Sequence, residues 1–183
     1  HFNKEIFNFS KKQNNIEFIL SDDIGEKRIP EEVKEQTRRM KPDEEIVLDD
    51  IRIRTLRSTD EGVAFLVSVE GKTIYHAGDL NDWYWKEESE EWNQEMSKHF
   101  HEYIEPLRDR EIDAAFIPLD PRQEEYYTLG MDYFLSLTKT EKVYPMHFWR
   151  KPEVIDRWME EHSKSQDRDR IVRITEEGEI FEQ

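Results

Sequence analysis

The sequence predicts a layered α/β domain, and three observations lead there. Short apolar runs with a period of two alternate with longer stretches whose apolar residues recur every three to four positions. The two patterns interleave from one end of the chain to the other. No internal repeat, low-complexity tract or linker divides the 183 residues, so a single domain over residues 1–183 is expected, with helices covering sheet faces.

The elements follow in order. An amphipathic helix is expected from Asn3 to Lys12, capped by Asn3 with Ile6 and Phe9 on one face. Ile16, Phe18 and Leu20 alternate as a strand, and Ser21-Asp22-Asp23 is a loop. Pro30 suits the first turn of a second helix running through Val33, Thr37 and Met40. Ile46 to Leu48, Ile51 to Leu56, Val63 to Val69 and Lys72 to His76 form antiparallel hairpins, the last pair joined at Glu70-Gly71. Trp92, Met96, Phe100, Tyr103 and Leu107 mark a long helix over Ser89 to Arg108, whose acidic start suits the helix dipole. Then come a strand at Asp113 to Leu119, a helix at Leu129 to Lys139, a strand at Lys142 to Pro145, a helix at Pro152 to Ser163, and strands at Arg170 to Ile174 and Glu179 to Phe181.

Composition narrows the chemistry. Ten Phe, seven Tyr and five Trp supply bulky groups for a core despite a charged fraction of 38%. A formal charge of −16 repels phosphate backbones and anionic lipid at long range, so neither nucleic acid nor a membrane is an expected partner. No apolar run approaches bilayer length and no signal-peptide pattern is present, which points to a cytoplasmic protein. Without cysteine, a metal would be held by His, Asp or Glu alone.

Three places present polar residues just beyond apolar strands, where scaffolds display functional groups. They are Thr73-Ile74-Tyr75-His76-Ala77-Gly78-Asp79-Leu80-Asn81, Val143-Tyr144-Pro145-Met146-His147-Phe148-Trp149, and His1-Phe2-Asn3. Singly, an Asp after Gly is more often a turn or cap, and a His beside Trp more often a packed imidazole. In combination and order, with Ile117-Pro118-Leu119-Asp120 between them, these segments resemble the second half of the metallo-β-lactamase superfamily over roughly Ile16 to Trp149. The chain is most similar to its bacterial branch of small metal-dependent hydrolases near the ascorbate-6-phosphate lactonases.

That resemblance implies a four-layer αββα sandwich with metals at one edge. They are held by a His-x-His-x-Asp-His loop, a later His, a bridging Asp and a last His. Asp79 matches the bridging Asp, His147 the final His, and His1 the closing His of the loop, so the first strands and the catalytic Asp are expected upstream of this chain. Where the family places another His, this sequence has Arg57-Ser58-Thr59-Asp60-Glu61-Gly62; Asp60 is either an oxygen ligand in its stead or an Asp shaping the turn. The implied cofactor is a divalent metal, one or two ions, zinc first with manganese or iron as alternatives.

Around those ligands, His76 has the opposite strand parity from Asp79; it either orients a ligand by hydrogen bonding or packs in the core. Trp83, Trp85, Asp120, Arg122 and Phe148 are candidate walls of a substrate pocket, core packing being the rival account of the aromatics. His99 and His101 lack the spacing of a paired helical metal site and read as solvated or packed. The expected activity is hydrolysis of a small-molecule ester, lactone, amide or phosphodiester by metal-activated water. The alternatives are a degenerate, non-catalytic binding or assembly module of the same fold and, less favoured by charge, a nuclease. A homo-oligomer is compatible with either of the first two.

Overall fold

Residues 2–13, 15–176 and 178–181 are described by the computed structural model, and the order of their strands explains why distant residues meet. Asn3 caps the first turn through its side-chain oxygen, which accepts from the Glu5 amide at 3.0 Å, but Lys4–Lys11 winds as a 3₁₀ helix. The second expected helix is shorter than its pattern. A 3₁₀ turn at Glu31–Gln36 gives way to strand β2 (Thr37–Met40), which pairs in parallel with β1 (Phe18–Ser21). Thr37 Oγ1 donates to the Val33 carbonyl at 2.7 Å, a local bond that competes with helix propagation. Met40 is then buried as a strand residue.

The main sheet has six strands in sequence order: β3 (Glu45–Leu48), β4 (Ile51–Arg57), β5 (Val63–Val69), β6 (Lys72–His76), β7 (Glu111–Pro118) and β8 (Lys139–Met146). The first four are antiparallel hairpins; β6, β7 and β8 run parallel. Parallel neighbours need crossovers, supplied by α1 (Glu90–Ile104) between β6 and β7 and α2 (Leu129–Leu137) between β7 and β8. Ser89 caps α1 by accepting from the Trp92 amide at 3.2 Å. With α3 (Glu153–Glu161), these helices cover one sheet face, burying Phe100, Phe134 and Trp158 against Leu66, Tyr75, Ile117 and Val143. A helical layer and a sheet of the expected sandwich are thus present, with a smaller cluster around Phe7, Phe18 and Val33 beside them.

The two expected terminal strands do not form among the described residues. Arg170 ends a 3₁₀ turn instead, its guanidinium donating to the carbonyls of Thr140 (2.8 Å), Leu135 (2.9 Å) and Thr138 (3.1 Å). The bonds to Leu135 and Thr138 satisfy carbonyls at the end of α2, that to Thr140 reaches into β8, and only Ile171 bridges to Val143. Glu179 to Phe181 makes no ladder; Phe181 rests edge-on against Tyr144. Among the described residues no helix is long and apolar enough to cross a membrane.

Tyr75 lies fully buried at the centre of the core, stacked on Phe134 at 5.6 Å, and its hydroxyl has no hydrogen-bond partner among the described residues. Burying such a group unsatisfied costs on the order of 1–3 kcal/mol. Tyr75→Phe should therefore raise stability by about 1 kcal/mol, read as a higher urea midpoint with an unchanged slope; a loss of stability would show that the hydroxyl is paired.

Candidate metal corner at the sheet rim

Because β6, β7 and β8 are parallel, their C-terminal ends share one rim, the position where open α/β sheets present their ligand sites. Asp79 follows β6, Asp120 follows β7 and His147 follows β8. The β4–β5 connection reaches the same rim because β5 runs antiparallel to β6. Gly78 allows the close approach of these segments: its φ is +58°, and an added Cβ would sit 2.8 Å from the Val63 carbonyl oxygen. Thr59 pins the two loops together, its Oγ1 donating to the Asn81 carbonyl at 2.7 Å and accepting from the Asn81 amide at 3.0 Å.

Three side chains form the corner. His147 Nε2 lies 3.5 Å from Asp79 Oδ1, and His147 Nδ1 lies 2.9 Å from Asp120 Oδ2. A Nδ1–H donated to Asp120 fixes the ring and turns Nε2 towards Asp79. His147 sits at φ +67°, in the left-handed region uncommon for a side-chain-bearing residue, and so do Trp149 and Arg150. The chain leaves β8 strained, and the bond to Asp120 helps hold it there.

Burial works against the imidazolium, yet the hydrogen bonds and charges of Asp120 and Asp79 outweigh it, pushing the His147 pKa up to about 9. Burial likewise pushes the Asp79 carboxyl up, and the His147 hydrogen bond more than reverses this. For Asp120 the same contest ends well below the usual carboxylate range, because Arg122 and Trp149 add further donors to that of His147. The ring nitrogen of His147 thus faces the Asp79 carboxylate across 3.5 Å, two donor atoms of the kind a divalent cation accepts.

Asp120 was expected to line a pocket. It is instead fully buried, and it organises what surrounds it. Arg122 donates through Nε at 3.0 Å to each oxygen and through Nη2 at 2.5 Å to Oδ2, while Trp149 Nε1 donates to Oδ2 at 3.2 Å. Trp83, named from the sequence as either a pocket wall or a packed core residue, is found on the packed side. It is buried, and its Nε1 donates at 2.9 Å to the carbonyl of Asp79, fixing that loop from beneath. Five side chains close a ring around Asp120: His147 on Trp83 (5.3 Å), Trp83 on Trp85 (5.8 Å), Trp85 on Arg122 (5.4 Å), Arg122 on Trp149 (4.6 Å) and Trp149 on His147 (5.5 Å).

The other candidates fall around this ring. Asp60 is exposed on the β4–β5 connection, near enough to Arg122 to favour its charge. His76 faces the side opposite Tyr75, stacks on Phe116 at 5.6 Å and accepts from the Gly78 amide at 3.0 Å; it steadies the turn into Asp79. Phe148 and His147 line a cavity of about 1070 Å³, and Asp79 with His76 lines a second of about 690 Å³. His1 lies outside the described residues. His101 lies tilted against Tyr133, ring centroids 4.1 Å apart.

Sequence reasoning missed the buried amides that join the rim loops. Asn81 Nδ2 donates to Gln123 Oε1 at 3.0 Å, and Gln123 Nε2 donates to the Asp82 carbonyl at 2.9 Å. Only their places just after Asp79 and Asp120 signalled them. Among the described residues no group of three or more His, Asp or Glu could by itself hold a metal ion. Asp79 and His147 suit two positions of a shell, and further donors are needed to fill it.

No protein-family model and no curated protein matches this sequence. Solved structures do match. Igni18, a metallo hydrolase from the archaeon Ignicoccus hospitalis KIN4/I, is 15% identical with a TM-score of 0.56 over 93% of this chain and 70% of that one. A proposed metal-dependent hydrolase from Parabacteroides distasonis ATCC 8503 is 16% identical with a TM-score of 0.51 over 87% of this chain and 65% of that one. A proposed Zn-dependent hydrolase of the metallo-β-lactamase superfamily from Thermotoga maritima, 16% identical with a TM-score of 0.38, is matched over 63% of this chain. The chain spans 51% of the Thermotoga protein's length and 65% of the Parabacteroides protein's. With its three parallel strands delivering Asp79, Asp120 and His147 to one rim, the chain has the metallo-β-lactamase fold.

Proposed function

We propose that this chain supplies Asp79 and His147 to a divalent metal site of a hydrolase acting on a small-molecule ester, lactone, amide or phosphodiester. The observation that carries the reading is the facing pair itself: an imidazole nitrogen 3.5 Å from a carboxylate oxygen, with the second ring nitrogen anchored on a buried carboxylate. A packed histidine has no need of that arrangement, whereas a metal-binding one is oriented by it. The donor set is nitrogen and oxygen without sulfur, which zinc accepts and manganese or iron also accept.

A bound divalent ion would supply a Lewis acid and a water acidic enough to attack at neutral pH. The chain's own residues do the rest. Asp79 and His147 hold position, Asp120 keeps the His147 tautomer, and Trp83 fixes the Asp79 loop by its backbone. His147 must be neutral to offer a nitrogen to a cation, so the low-pH side of its titration would oppose metal binding.

A non-catalytic relative is the second reading, favoured by the lack of a complete ligand group among the described residues. Metal analysis of the intact protein with a panel of chromogenic esters, lactones and phosphodiesters separates the two. Asp79→Ala and His147→Ala are each expected to remove bound metal and to lower hydrolysis by more than the roughly 10–100-fold typical of losing an outer hydrogen-bond partner. Intact wild-type protein that holds no metal and turns over none of the panel would establish the non-catalytic reading.

A further inference from the structure

Arg122 is a ring member with chemistry that the metal corner does not use up. Asp120 takes one edge of its guanidinium, the edge formed by Nε and Nη2. Nη1 has no hydrogen-bond partner among the described residues, and about half of the side chain, 48%, is exposed. The guanidinium carbon lies 5.4 Å from the Trp85 ring centroid and 4.6 Å from that of Trp149, two cation–π neighbours that help fix the side chain while part of it stays exposed. The rotamer freedom that an exposed arginine normally loses on binding has largely been given up already.

Its position matters as much as its posture. Asp120 Oδ2 accepts from both Arg122 Nη2 and His147 Nδ1, so the guanidinium lies only two hydrogen bonds from the imidazole that faces Asp79. A chain of net charge −16 repels anions over most of its surface, and here it fixes a cation beside its candidate reaction centre. Supporting Asp120 alone would not require that. A lysine in place of Arg122 could neutralise the carboxylate, but only a fork can bond it and still present a second edge.

We infer that the end edge of Arg122 binds an oxyanion carried by the substrate, a carboxylate or a phosphate group, at a fixed reach from the Asp79–His147 corner. This rests on the hydrolase reading and narrows it to anionic substrates. A charge-assisted pair between the guanidinium and the incoming anion supplies the attraction, and the neighbouring indoles limit the side chain's freedom beforehand. Neutral substrates of equal size would lack this contact and would bind more weakly.

Inorganic phosphate and acetate serve as probes, titrated by calorimetry into wild type, Arg122→Gln, Arg122→Lys and Asp79→Ala. Wild type and Asp79→Ala are expected to bind with affinities within about twofold of each other. Arg122→Gln should be weaker by about tenfold or more, with Arg122→Lys between them. Tighter phosphate than acetate assigns a phosphate group, and the reverse assigns a carboxylate. Near-ultraviolet circular dichroism of the tryptophans checks that each variant keeps its fold, and chelator-treated wild type provides the same reading if Asp79→Ala does not. The inference is overturned if wild type binds neither anion, if Arg122→Gln binds as well as wild type, or if metal-free protein loses the anion. The last result would put the anion on the metal. Because the Asp79→Ala and chelator-treated titrations are free of metal, failure of the anion site is told apart from failure of the hydrolase reading, which shows as absent metal and absent turnover.

Discussion

Gly130→Ala is expected to destabilise the protein by about 3 kcal/mol, although a Gly-to-Ala change inside a helix ordinarily stabilises by up to about 1 kcal/mol. Gly130 lies in the first turn of α2, and a Cβ there would sit 1.8 Å from Asn81 Oδ1 and 3.1 Å from the Asp82 amide nitrogen. Asn81 is buried and bound to Gln123, so displacing it breaks that bond. Forcing it out costs overpacking strain of roughly 1–3 kcal/mol plus the penalty of unpaired buried amides, roughly 1–3 kcal/mol. Together these outweigh the helix gain. Urea unfolding would show the loss, and metal binding should weaken with it because Asn81 also anchors the loop that carries Asp79. A stability equal to wild type would mean that the rim loops tolerate displacement, and the account of how Asp79 is positioned would fail.

The same pair of residues shows where sequence reasoning ends. Periodicity identifies β4, β5, β6, α1 and α3 because each is a continuous pattern with one buried face. It mistakes Thr37–Met40 for helix because Val33, Thr37 and Met40 satisfy a helical spacing that β1, by pairing in parallel, overrides. It makes strands of the last residues because nothing local reveals that Arg170 will cap α2. Asp79 and His147 stand out as candidates because each follows an apolar strand in a distinctive motif. Asn81 and Gln123 are not: a buried amide has no sequence pattern of its own, and its value depends wholly on a partner about 40 positions away.

Asp120 falls between these cases, and its type and place were visible while its role was not. A carboxylate after an apolar strand reads as exposed chemistry, yet burial with donors from Arg122, Trp149 and His147 makes it the support on which the corner rests. That difference has a measurable form. A pocket residue would alter substrate affinity and leave the metal in place; a support for His147 would do the opposite.

Asp120→Asn is therefore expected to weaken metal binding by about 10–100-fold while keeping the shape of the side chain. The amide has one accepting oxygen where the carboxylate has two, and its NH₂ meets donors rather than acceptors on one side. Either His147 loses its Nδ1 partner and the ring is freed to turn, or Arg122 and Trp149 lose theirs. Breaking a buried ion pair costs about 3–5 kcal/mol, but Arg122 is half exposed and solvent screens it, so a smaller loss of about 2 kcal/mol is the expected effect on folding. Competition with a chromogenic chelator measures the first effect, and urea unfolding of the metal-free protein measures the second. Unchanged metal affinity in a folded Asp120→Asn protein would detach Asp120 from His147 and leave the ring of side chains without a mechanistic purpose. Weakened affinity with an unaltered KM for the surviving activity would place Asp120 behind the ligand, holding the imidazole whose other nitrogen faces Asp79.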